Sequence, residues 1–104
     1  MTMRKLVLFG VAAGLLALNA QASEEIARKA NCLACHSVDK KIVGPAYKDV
    51  AAKYKGQADI VAKLAAKVRN GGSGVWGPIP MPPNPPEKIS DADLNAVLQW
   101  VLSR

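Results

Sequence analysis

Four residues of this chain carry chemistry that the rest does not. Cys32 and Cys35 flank Leu33-Ala34, and His36, the sole histidine, follows the second cysteine directly. Met81 lies forty-five positions further on, inside "GPIPMPPNPP" (77–86), which holds six of the seven prolines. Two thiols three positions apart can each add to one vinyl group of a haem. A histidine immediately after them is then set beneath the iron. Cys32-Leu33-Ala34-Cys35-His36 therefore reads as a c-type haem attachment motif.

Three other readings of the cysteine pair are weaker. A redox-active dithiol belongs beside a βαβ pattern, and the sequence has none. A structural zinc site needs four ligands, whereas the chain offers two cysteines and one histidine. A plain disulfide leaves His36 without a role and a small core without a supplement.

The sequence also narrows the second axial position. No second histidine exists, and both thiols are consumed by the vinyl groups. Met1 and Met3 fall in the leader described below, so Met81 is the remaining thioether. Proline fixes its own φ, lacks a backbone donor and drives the preceding residue into extended conformations. Pro80 and Pro82 thus form a stiff mount on either side of Met81. The plainer alternative is a methionine that fills a gap in the core, but a filler needs no such mount. Histidine–methionine ligation raises the reduction potential relative to bis-histidine and fills both axial positions. That arrangement suits one-electron transfer with little change in geometry, and leaves no open position for oxygen or peroxide.

These residues need elements to place them. Arg4 and Lys5, the apolar run 6–18 and Ala20-Gln21-Ala22 have the layout of a secretory signal peptide, which predicts removal of 1–22 and a mature domain of 23–104. Thirteen apolar residues fall short of the about 20 that a membrane span requires. An uncleaved N-terminal anchor, giving a membrane-tethered protein, is the alternative. The mature domain carries twelve basic and eight acidic side chains, a net +4, too weak a bias to indicate nucleic acid. A core of this size is marginal alone. Its aromatics are Tyr47, Tyr54, Trp76 and Trp100, which leaves room for a cofactor in the middle.

Four stretches carry helical signals. Ser23 reads as the cap of the first, with Glu24 and Glu25 in its first turn and Ile26, Ala27 and Ala30 on one face. Pro45 opens a second, with Ala46, Tyr47, Val50, Ala51 and Tyr54 at helical spacing up to Gly56. The third spans about 58–70, with a stripe of Ile60, Val61, Leu64, Ala65 and Val68 ended by Gly71 and Gly72. Ser90 and Asp93 form a loose capping box for the fourth, whose apolar face is Leu94, Val97, Leu98, Trp100, Val101 and Leu102. No stretch alternates with period 2. The expected fold class is all-α, with an irregular segment over 71–88 ordered by packing on something.

Together with the haem motif, "VGPAYKDVAAKY" (43–54) and "GVWGPIPMPPN" (74–84) closely resemble the small bacterial class I cytochromes c of the cytochrome c-551 type. The resemblance covers nearly all of 23–104. It implies four helices around one covalent haem c, with the terminal helices crossing. It also implies a periplasmic electron carrier that serves nitrite reductases, terminal oxidases or peroxidases, supplied by a quinol-oxidising donor. At matching positions it implies that the Pro45 carbonyl accepts from the His36 ring, that Asn84 donates toward the Met81 sulfur, and that Trp76 donates its indole N–H to a haem propionate. A helix-starting proline, a turn asparagine and a packed tryptophan are the plainer uses of those positions. Nothing in the sequence requires a partner subunit, so a monomer is expected.

Two features depart from the family pattern. Lys67 stands where an arginine commonly approaches a propionate, with Arg69 two positions on, and lysine cannot make the planar fork. "PPEKI" (85–89) lengthens the connection to the last helix, with an expected effect on the surface beside Met81 rather than on the iron. Docking is expected at the haem edge, with Val43, Ala46 and Ile79 giving an apolar rim among Lys40, Lys41, Lys48 and Lys53. The rival function is a haem enzyme or gas sensor in which Met81 leaves the iron and peroxide, nitric oxide or carbon monoxide binds. The proline mount argues against it.

Overall fold

A computed structural model describes residues 21–104. The leader expected over 1–22 lies outside the described residues except for 21 and 22, which are helical. Helix α1 covers 21–29, so Ser23 sits within a helix and not at its cap. Gln21 and Ala22 are good helix formers, and both are already helical. Ala27 and Ala30 are buried, as their spacing requires. Asn31 then takes a left-handed conformation, φ 69°, and the chain enters a single 3-10 turn, Cys32–Ala34.

Helix α2 is Tyr47–Tyr54, two residues later than Pro45 suggests. The delay has a hydrogen-bonding cause. The first helical N–H groups have no intrahelical acceptor, and here Tyr47 N–H donates to Ser37 O at 2.8 Å and Lys48 N–H to Val38 O at 3.1 Å. The loop that leaves the haem motif thus caps α2, with Ala46 extended and no side-chain cap. Helix α3, Ile60–Asn70, ends where Gly71 N–H donates to Lys67 O at 2.7 Å. Helix α4, Asp91–Leu102, begins as expected: the Ser90 hydroxyl accepts from Asp93 N–H at 3.2 Å.

Helix α4 packs against both α2 and α3. Its Leu94, Val97, Leu98, Trp100 and Val101 join Ala27, Ala30, Tyr47 and Ile89 in one buried cluster. The stripe of α3 is different. None of its residues is fully buried; Val61, Leu64, Ala65 and Val68 only lean on the cluster. Apolar side chains left half-covered inside a small domain imply that something else completes the burial.

Residues 71–88 are irregular, and the described residues form no strand beyond one isolated antiparallel bridge between Gly72 and Met81. The all-α class holds. The lengthened connection folds as a turn, with Lys88 N–H on Pro85 O at 2.9 Å, and sinks Ile89 into the core at 5% exposure. It is therefore anchored and not merely a surface feature.

Candidate functional site

A cavity of about 360 Å³ opens between α2, α3 and the 72–82 segment. Its lining brings together Cys35, His36, Pro45, Trp76 and Met81, five of the residues singled out from the sequence. Tyr47, Val50, Leu64, Val68, Leu98 and Val101 supply an apolar wall, so Leu64 and Val68 of the half-covered α3 stripe face the cavity while Val61 and Ala65 do not. Cys32 and Asn84 are not among the lining residues. Cys32 leans on the core from the preceding turn, and burial pushes its thiol above the usual range, opposed by the nearby Lys88 charge.

His36 is the most constrained of these side chains. Its Nδ1 lies 2.8 Å from Pro45 O. A carbonyl can only accept, so Nδ1 carries a proton, and in the neutral ring Nε2 is the nitrogen that keeps a lone pair. One face of the ring stacks on Tyr47, centroids 5.0 Å apart and planes 19° from parallel. Gly44 presses on the ring as well: a Cβ there would come within 2.8 Å of Nδ1. The Gly-Pro of "VGPAY" is thus a socket, with Gly44 supplying close approach and Pro45 the acceptor.

Met81 is fixed by more than its prolines. Its N–H donates to Gly72 O and its carbonyl accepts from Gly72 N–H, both at 2.9 Å. Gly71 sits beneath with φ 68°, and a Cβ there would run into the Met81 carbonyl and within 2.9 Å of the Pro82 carbonyl carbon. The Gly71-Gly72 pair therefore ends α3 and also grips the strap. Sequence reasoning found only the first role, because a bridge between residues nine apart leaves no periodic signal.

The other candidate residues have varied surroundings, and one expectation, Ala46 in the docking rim, needs correction. Asn84 is buried at 4% exposure, and its amide donates to Pro82 O at 3.0 Å and Val68 O at 3.2 Å. Those two bonds tie Asn84 both to the end of α3 and to the strap that carries Met81. Trp76 lines the cavity mouth, and the Lys53 ammonium sits 5.5 Å over its ring. Ala46 is fully buried and cannot join a docking rim, because it is the residue that seats the start of α2. Val43 and Ile79 do remain exposed, at 49% and 62%. Of the two candidate propionate partners, Lys67 lines the cavity, while Arg69 turns away and donates to Asn84 O, Ile89 O and Asp91.

The cytochrome c family profile matches residues 20–104, which takes in every residue the structure describes. The chain belongs to the cytochrome c family. It is 52% identical over 95 residues to cytochrome c-552 of Nitrosomonas europaea, covering 91% of this chain and 90% of that protein. To cytochrome c-551 of Pseudomonas aeruginosa it is 52% identical over 85 residues, 82% of this chain and 79% of that one. The crystal structure of the wild-type Nitrosomonas europaea cytochrome c552 superposes with a TM-score of 0.72, covering 77% of this chain and 96% of that one. The cytochrome is accordingly a small electron carrier and not an enzyme, built on one covalently bound haem c.

The residues present fit that group. The cytochrome's cavity is walled by aliphatic and aromatic side chains suited to a porphyrin face, and His36, with Nδ1 committed to Pro45, leaves Nε2 as the ring nitrogen able to bind a metal. Lys41, Lys63 and Lys67 also line it and bring positive charge for anionic substituents. No helix among the described residues of the cytochrome is long and apolar enough to cross a membrane.

Proposed function

We propose that Cys32 and Cys35 form the two thioethers, that His36 Nε2 and the Met81 sulfur take the two axial positions, and that the protein shuttles single electrons in the periplasm after removal of 1–22. The observation that carries this reading is the His36–Pro45 hydrogen bond at 2.8 Å, which commits Nδ1 to a carbonyl and leaves Nε2 for a metal beside a cavity that Met81 also lines. When bound, the haem supplies a one-electron ferric–ferrous couple. The chain's own residues hold the ring nitrogen, fix the thioether and keep water from the apolar wall. Two filled axial positions favour a carrier over the gas-binding alternative.

The leader-like 1–22 supports export, and its removal would appear as an intact mass beginning at Ser23. Exposed Val43 and Ile79, with Lys40, Lys41 and Lys48 nearby in sequence, support docking of an acidic-rimmed redox partner at the cavity mouth. Such partners are a quinol-oxidising donor and a nitrite reductase, terminal oxidase or peroxidase as acceptor.

The test is the optical spectrum of the oxidised protein. A weak far-red sulfur-to-iron charge-transfer band, present in the parent and lost in Met81→Ala, is the expected result. A parent lacking the band would overturn methionine ligation and favour an iron open to small ligands.

A further inference from the structure

Arg69 reaches three oxygens that belong to one short stretch of chain. Its Nη1 donates to Asn84 O at 3.0 Å and to Ile89 O at 2.7 Å, and its Nη2 to Asp91 Oδ1 at 2.6 Å. The two carbonyls stand at the two ends of loop 85–88. One planar group therefore closes the neck of that loop, and the ion pair then ties it to the first turn of α4.

The weights of these contacts differ. The Asp91 carboxylate is 94% exposed, and such a pair contributes little. The Arg69 side chain is only 18% exposed, so its bonds to two backbone carbonyls are made out of water and are charge-assisted. Removing the guanidinium leaves both acceptors short of a donor.

From Arg69 a short path leads to the strap. Asn84 receives Arg69 at its carbonyl, donates its own N–H to Val68 O at 3.1 Å, and sends its side-chain amide to Pro82 O at 3.0 Å. Pro82 is bonded to Met81. Asn84 is thus a buried node between the guanidinium and the methionine mount, with Arg69 its link to Ile89 and α4.

We propose that Arg69 is a positioning residue. By pinching the neck of 85–88 it isolates the strap from the loop that follows, and holds the Met81 backbone in the register set by the Gly72 bridge. Its consequence for the iron rests on the reading of Met81 as axial ligand; the clamp itself does not. Lengthening the loop at its tip should then leave Met81 undisturbed for as long as Arg69 is present.

The test uses the intact holoprotein and amide hydrogen exchange at the Met81 and Gly72 N–H groups, which form the bridge. Arg69→Met is expected to speed exchange at both by at least tenfold, with α4 core amides such as Leu98 unchanged within twofold. Two glycines inserted between Glu87 and Lys88 are expected to leave both amides unchanged in the parent. Should Arg69→Met not fold, Arg69→Lys carries the same test, since its stem ends one atom short of the Nη1 that serves both carbonyls and it has no second nitrogen for Asp91; it is expected to fall between. Unchanged exchange at Met81, or equal acceleration across the whole protein, would overturn the clamp. The far-red band read on the same samples separates the two readings. Its absence from the parent defeats methionine ligation alone, whereas unaltered exchange in Arg69→Met defeats the clamp alone.

Discussion

The His36 and Tyr47 rings stack at 5.0 Å, and Tyr47 in turn meets Trp100 edge-on at 5.6 Å and 77°. The three rings form a continuous brace from α4, through the first residue of α2, to the imidazole. Tyr47 is 5% exposed and sits at the junction, so the orientation of His36 depends on packing as well as on Pro45. Tyr47→Ala is expected to cost about 3 kcal/mol in denaturant unfolding of the holoprotein, the cost of truncating a buried aromatic. Tyr47→Phe keeps the stack and should stay within about 1 kcal/mol of the parent.

Tyr47 also sets an alkaline limit. Burial first, then the adjoining Cys32 and Cys35 thiols, push its phenol above the ordinary 10.0; once the sulfurs are thioethers, burial alone remains. The folded protein then holds the neutral phenol more tightly than the unfolded chain does. Its contribution is complete below about pH 10 and is lost as pH rises through the higher folded value. Unfolding free energy measured from pH 8 upward should therefore decline above about pH 10 in the parent and less steeply in Tyr47→Phe. Identical declines in both would remove Tyr47 as the cause.

Gly44 has no room for a side chain. A methyl there meets the His36 ring, so Gly44→Ala must push the imidazole, the Pro45 carbonyl or the 42–45 turn aside. The expected loss is about 1–3 kcal/mol of stability. Weakening of the His36–Pro45 bond should also shift the reduction potential upward, because a less basic imidazole favours ferrous iron. An unshifted potential at unaltered stability would show that the turn yields freely.

The cavity predicts the behaviour of the apoprotein. Covering roughly 400 Å² of apolar porphyrin surface contributes about 10 kcal/mol, comparable with the whole stability of a small domain. The chain stripped of haem is expected to lose most of its helical far-ultraviolet circular dichroism. A native-like spectrum without haem would show that Trp100, Tyr47 and α4 suffice as a core.

The parts of this site written in local sequence were the legible ones. The C-x-x-C-H spacing, the apolar faces of α2, α3 and α4, the Ser90 cap and the proline-rich mount of Met81 each depend on residues within a few positions of one another. Pairings between distant segments were not legible. Gly72 gripping Met81, Ser37 and Val38 capping α2, and Arg69 reaching Asn84 and Ile89 become visible only when the chain has closed on itself. Ala46 shows the same limit in reverse: a small apolar residue beside a loop looks like surface until α2 is seen to start on it. Arg69 stood two positions from the expected propionate partner, and a helix turns by about 200° over two residues, which faces it to the opposite side.

The Gly72–Met81 bridge has a further effect on how this protein meets others. From 80 to 84 the prolines have no N–H, the Met81 N–H is spent on Gly72 and the Asn84 N–H on Val68. An exposed extended segment with free donors invites a second chain to lengthen it into a sheet. This one offers none, even though Ile79 beside it is 62% exposed. A visitor to the cavity mouth finds side chains and carbonyl acceptors but no backbone donor, so it cannot build the reciprocal ladder of a sheet, and the strap is a poor seed for aggregation.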